Sequence, residues 1–130
     1  RLDRAMDNPN ITIVEPSSKH VYQAGHTLVG GGIIKAGKLV VDTQDYIPDS
    51  AVWEQTKVID IDPDAQKVFL ENNKVLDYDY LVLSPGLQYD WSRIEGLNPE
   101  QIGENGINTI YTLEGAEKTW KNLKGIKIRS

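Results

Sequence analysis

Glu15 closes a run of β-prone residues, Ile11-Thr12-Ile13-Val14, and Pro16 follows it at once. A carboxylate at the C-terminal end of a buried strand is a hydrogen-bond acceptor held at a fixed place. In dinucleotide-binding folds such an acid takes ribose hydroxyls, about 20 residues after a glycine-rich phosphate loop. Only ten residues precede Ile11 here, and none of them is glycine. A second candidate is Ser84-Pro85-Gly86, which follows the apolar run Tyr80-Leu81-Val82-Leu83. Small residues at a strand end let a phosphate-bearing ligand pass close to the carboxyl edge of a sheet.

The remaining clusters carry less chemistry. Asp60, Asp62 and Asp64, with Glu71 eleven residues after Asp60, have the spacing of a calcium loop. Ala65 stands where that loop needs glycine, Pro63 lies inside it, and its flanks read as strands, so a solvated hairpin turn is expected. Gly30-x-Gly32-x-x-Lys35 is a broken G-x-G-x-x-G, and Gly31-Gly32 replaces the Lys-Ser/Thr of a P-loop. These glycines are expected to serve close packing, with the backbone approach of a flat ligand as the alternative. His20 and His26 lack a partner acid at helical spacing and read as loop histidines, not zinc ligands. Ser84 has no G-x-S-x-G around it and Pro85 follows directly, so a nucleophile elbow is excluded. No catalytic residue and no metal ligand is assigned.

The chain has 130 residues, 39% hydrophobic and 25% charged, which suits one ordinary domain with a core. Its net charge of −5 argues against nucleic acid. It has no cysteine, which removes disulfides and thiolate chemistry from anything these residues do alone. No apolar run is long enough to span a bilayer, and the chain reads as soluble. It opens at Arg1 with its one methionine at Met6, from which a processed or excised N-terminus is expected.

The elements that must hold these residues follow from pattern. Leu2, Ala5 and Met6 suit the end of a helix over Arg1–Asp7, stopped by Asn8-Pro9. Asn10–Glu15 reads as a strand continuous enough for a parallel sheet. Pro16–Gly25 reads as a polar loop, with a short helix from Thr27 and a helical turn at Asp42–Ile47. Ala51–Ile61, Lys67–Glu71 and Val75–Tyr78 predict a small antiparallel β-meander, and Tyr80–Leu83 a strand returning to the parallel sheet. After Gly86 a long aromatic loop leads to a helix over Leu113–Lys124. The expected stretches are thus 1–50, 51–86 and 87–130.

Taken in order, several segments resemble a specific family. Ile13-Val14-Glu15-Pro16-Ser17, His20-Val21-Tyr22-Gln23-Ala24-Gly25 and Leu28-Val29-Gly30-Gly31-Gly32 are similar to the sulfide:quinone oxidoreductases, flavoproteins of the pyridine nucleotide-disulfide oxidoreductase-like superfamily. So are Tyr80 to Trp91, Ile94-Glu95-Gly96-Leu97, Ile102-Gly103 and Thr112 to Trp120, collinear along nearly the whole chain.

The resemblance implies an α/β fold, a partial Rossmann-like FAD-binding domain whose first strand and phosphate loop are absent from these residues, with a small antiparallel β-meander. It implies a parent enzyme that oxidises sulfide at a cysteine pair beside FAD and reduces quinone. Such enzymes are peripheral to the membrane, attached through a C-terminal region. The fragment itself would be inactive and bind FAD weakly or not at all. Glu15 would bind the adenosine ribose, with Pro16, Ser17 and Lys19 beside it. The Val58 backbone would meet the adenine edge. Ser84, Pro85 and Gly86 would lie near the adenine and pyrophosphate, and Tyr22, Gln23 and Ala24 near the flavin ring. Ala24 stands where the family commonly has proline. The alternatives are the FAD half of a type II NADH:quinone oxidoreductase, or a stand-alone interaction domain. Exposed strand edges predict a homo-oligomer.

Overall fold

The structure, a computed structural model, describes residues 5–126. Of the expected helix Arg1–Asp7, residues 1–4 lie outside the described residues. The chain divides into two compact units, one of Arg1–His20 with Asp42–Pro85, the other of Val21–Val41 with Gly86–Ser130. The fold is mixed α/β with small parallel and antiparallel sheets.

In the first unit, β1 (Ile11–Val14) pairs in parallel with β4 (Ala51–Glu54), Ile11 opposite Ala51 and Val14 opposite Glu54. β-branched residues suit this half-buried pleated position. β5 (Val58–Asp62), β6 (Lys67–Leu70) and β7 (Val75–Asp77) form the expected antiparallel meander. The run Ala51–Ile61 is therefore two strands in two sheets, because Gln55-Thr56-Lys57 break it. Asn73, at φ 66°, makes the tight turn between β6 and β7. Val68 and Leu70 are buried, alternating along β6 as one face requires. The expected 42–47 turn is a 3₁₀ turn over Thr43–Tyr46.

Two expectations need correction. Pro16–Gly25 is not loop throughout, since it holds β2 (Lys19–Val21), which pairs with β3 (Val40–Asp42), and a 3₁₀ turn at Gln23–Gly25. Tyr80–Leu83 is not a strand. It has strand composition but no hydrogen-bonded neighbour among the described residues, and Tyr80, Val82 and Leu83 are 90%, 75% and 63% exposed. A strand is defined by its partner, and composition cannot supply one.

In the second unit, α1 (His26–Gly30) and α2 (Leu113–Leu123) pack together. Val29, Ala36, Leu39 and Ala116 form the core, with Ile34 and Leu113 against it. Thr112 caps α2, its Oγ1 accepting the Gly115 N–H at 3.0 Å. Ala116 is fully buried as the apolar stripe predicted, whereas Trp120 and Leu123 remain 40% and 46% exposed.

Candidate functional site

The candidate residues divide between the units. Glu15, Pro16, Ser17, Lys19, Val58, Ser84 and Pro85 belong to the first, and Tyr22, Gln23 and Gly86 to the second.

In the first unit the parallel ladder continues one step past β1, where the Glu15 N–H donates to the Glu54 carbonyl at 3.2 Å. The Trp53 indole N–H donates to the Glu15 carbonyl at 2.8 Å. The backbone of Glu15 is thus held on both sides, and its carboxylate lies just beyond the carboxyl end of a parallel strand. Glu15 Oε1 accepts the Ser17 N–H at 2.7 Å, while Oε2 has no hydrogen-bond partner among the described residues. A side chain returning to a backbone N–H two residues on is an Asx-like turn, and it leaves one oxygen for an outside donor.

Ser17 extends this local cage. Its hydroxyl donates to the Lys19 carbonyl at 2.7 Å and accepts the Lys19 N–H at 3.1 Å. The Gln55 amide reaches the Pro16 carbonyl at 3.5 Å. Lys19 itself is paired with Asp42 at 2.6 Å, both side chains more than half exposed. Its ammonium therefore already has a carboxylate, and an anion arriving here would have to share it. Glu54, at the end of β4, is paired with Lys74.

Val58 opens β5 beside a register shift between Val58 and Asp60 that leaves Ile59 unpaired. Such a bulge loosens the ladder and frees backbone groups. Ser84 and Pro85 are exposed. Among the described residues, no hydrogen bond joins Val58, Ser84 or Pro85 to the Glu15 turn. The carboxylates of the would-be calcium loop turn inward on their own hairpin, Asp60 Oδ1 accepting the Ile61 N–H and Asp62 Oδ1 the Ala65 N–H. Among the described residues no group of three His, Cys, Asp or Glu could hold a metal ion. His20 lies in β2, its ring 5.9 Å from that of Tyr46.

In the second unit, Tyr22 and Gln23 are exposed on a backbone tied at both ends. The Tyr22 N–H donates to the Leu39 carbonyl at 2.9 Å, and the Gly25 N–H to the Tyr22 carbonyl at 3.0 Å. Gly86 has φ +76° and no protein atom within 4 Å of where a Cβ would stand, so its glycine is required by the turn. Gly32 serves both a turn and a close approach. At φ +72° it lies under the Trp120 indole, whose ring atoms would come within 2.4 Å of a Cβ. The flat group that Gly32 admits is the protein's own tryptophan, while Gly30 lies against Ile110. His26 is not a loop residue but starts α1, 5% exposed, with neither ring nitrogen hydrogen-bonded.

Sequence reasoning missed the supports. Trp53 fixes Glu15 from 38 positions away, and Tyr89 receives the Gln23 amide from 66 positions away. The signal for Trp53 was a large aromatic at the register position opposite Ile13, which only strand pairing reveals.

No protein-family model matches the chain. It is 42% identical over 118 residues to the mitochondrial sulfide:quinone oxidoreductase of Dictyostelium discoideum, covering 91% of this chain and 26% of that protein. It is 37% identical over 127 residues to the Mus musculus mitochondrial counterpart, covering 98% and 28%. The solved sulfide:quinone oxidoreductase of Aquifex aeolicus matches in fold with a TM-score of 0.70 at 24% identity, covering 95% of this chain and 27% of that one. The chain spans about a quarter of the length of the relatives it matches.

Proposed function

We propose that this chain, a homologue of sulfide:quinone oxidoreductase over nearly its whole length, is the adenosine-ribose part of a Rossmann-like FAD domain in such an enzyme. The observation that carries the reading is the Glu15 carboxylate, with one oxygen unengaged, at the carboxyl end of a parallel strand. That donor set fits the group. An ionised carboxylate accepts, a ribose hydroxyl donates, and the Trp53 and Ser17 contacts fix where the acceptor stands. Pro16, Ser17 and Lys19 flank the ribose, the Val58 backbone faces the adenine edge, and Ser84, Pro85 and Gly86 serve the adenine and pyrophosphate. Tyr22 and Gln23 lie on the flavin side. FAD, when bound, supplies the two-electron chemistry between sulfide and quinone.

The chain spans about a quarter of its relatives, and no strand followed by G-x-G-x-x-G occurs in these 130 residues. On this reading they take up no FAD by themselves and are inactive by themselves. The exposed apolar Tyr80–Leu83 is then covered in the whole protein, and the edge of β1 that has no partner among the described residues favours self-association. The whole enzyme is a peripheral membrane protein. Among the described residues no helix is long and apolar enough to cross a membrane.

Flavin fluorescence titration tests the reading. The 130-residue chain gives no saturable quench, while the whole protein carries FAD and reduces quinone with sulfide. Tight stoichiometric binding by the chain alone, or a whole protein without flavin, contradicts it.

A further inference from the structure

We infer that Tyr89 is a positioning residue for the Gln23 side chain, and through it for the segment that faces the flavin. The inference rests on the reading of Tyr22 and Gln23 as flavin-side residues, and adds what holds them.

Gln23 has an exposed side chain with three rotatable bonds, attached to a backbone fixed by the Tyr22–Leu39 and Gly25–Tyr22 hydrogen bonds. Left to itself such a side chain would sample many rotamers. Here its Nε2 donates to the Tyr89 hydroxyl at 2.7 Å, which favours one of them. This is its one hydrogen bond among the described residues.

A tyrosine can orient another side chain only if its own ring is fixed. Tyr89 stacks on Trp91 with centroids 5.6 Å apart and planes at 27°, and on Tyr111 at 5.2 Å and 18°. Such stacked pairs stabilise beyond the area they cover. Local hydrogen bonds set the backbone on which both neighbours stand. The Asp90 carboxylate accepts the Ser92 N–H at 3.2 Å and also the Ser92 hydroxyl, which sets the turn carrying Tyr89 and Trp91. The Tyr111 N–H donates to Thr109 Oγ1 at 3.1 Å.

One amide proton of Gln23 is thus engaged by Tyr89, which fixes the amide plane and leaves the other N–H and the carbonyl oxygen for a ligand. A planar ring with donors and acceptors along its edge is the ligand such an oriented amide recognises. Tyr89 touches neither the ligand nor the chemistry on this account. It acts through Gln23.

Two variants test this. Tyr89→Phe keeps the stacked ring and removes the hydroxyl, and Gln23→Leu removes the amide. In the ¹⁵N-labelled chain, Tyr89→Phe is expected to raise the mobility of the Gln23 side-chain amide while the backbone amides of residues 22–25 keep theirs. In the whole flavoprotein, Tyr89→Phe is expected to shift the flavin absorption spectrum and midpoint potential in the same direction as Gln23→Leu. The double variant shifts them no further than Gln23→Leu alone. An unaltered Gln23 amide in Tyr89→Phe overturns the positioning role. A flavin shift from Gln23→Leu that Tyr89→Phe fails to share overturns it as well. Silence of the flavin to Gln23→Leu overturns instead the flavin-side reading of this segment, and with it the flavin half of the inference.

Discussion

The meander β5–β6–β7 and the parallel pair β1–β4 belong to the same unit and differ in what completes them. Each meander strand finds its neighbour a few residues along the chain, and Leu70 on its middle strand is 1% exposed. The parallel pair joins segments some forty residues apart, and among the described residues its edge is unpaired and the apolar Tyr80–Leu83 lies exposed without a pairing partner. Antiparallel hairpins close locally, whereas parallel sheets depend on crossovers and on strands supplied from elsewhere. Glu15, the residue that carries the proposed function, stands at the end of the parallel pair. Local order and functional completeness therefore belong to different parts of the unit.

The comparison can be broken by mutation. Leu70→Ala should destabilise the chain by about 3 kcal/mol in urea denaturation, since a fully buried leucine leaves a cavity. A loss well under that would mean the meander is no better packed than the rest. Trp53→Phe removes the indole N–H that holds the Glu15 carbonyl and should cost about 1 kcal/mol by the same measurement. It should also make the Glu15 amide exchange faster with solvent. Leu83→Ala should cost less than about 0.5 kcal/mol in this chain, because the side chain is already exposed. In the whole flavoprotein, where Tyr80–Leu83 is proposed to be covered, the cost should rise toward that of Leu70→Ala. Equal small costs in both would remove the proposed cover.

The smallest effect is expected on α2. The Lys118 ammonium, hydrogen-bonded to Glu114 at 2.8 Å, holds that carboxyl below its ordinary range. A lowered carboxyl stabilises the fold at pH values above the ordinary range, and the gain is lost as pH falls through the lowered value. The pair is exposed, so Glu114→Gln should barely change the thermal midpoint at neutral pH and should flatten its fall in acid. A steeper acid dependence in the variant would contradict this.

What the residues announced and what they withheld follow the same division. Ile11–Val14, the meander and α2 were legible because each is set by local composition and spacing. The failure at Tyr80–Leu83 came from reading strand propensity where pairing decides. Glu15 was legible as an acid at a strand end, but Trp53 was not legible as its support, because only the β1–β4 register brings the indole to it. The glycines at 30–32 pointed correctly to a close approach, while Trp120 as the approaching group needed the packing of α1 on α2. The Tyr89 stack joins three loop residues whose meeting no periodicity encodes.

The central claim is that Glu15 accepts the adenosine ribose. The most direct test measures FAD affinity in the whole flavoprotein and its Glu15→Gln variant, with FAD and with an analogue lacking both ribose hydroxyls of the adenosine. Hydrogen bonds to a charged group are worth about 1.5–3 kcal/mol, so Glu15→Gln should weaken FAD binding by about tenfold or more. The analogue should bind both proteins with nearly the same affinity. An equal loss for FAD and the analogue, or no loss for either, would contradict the assignment.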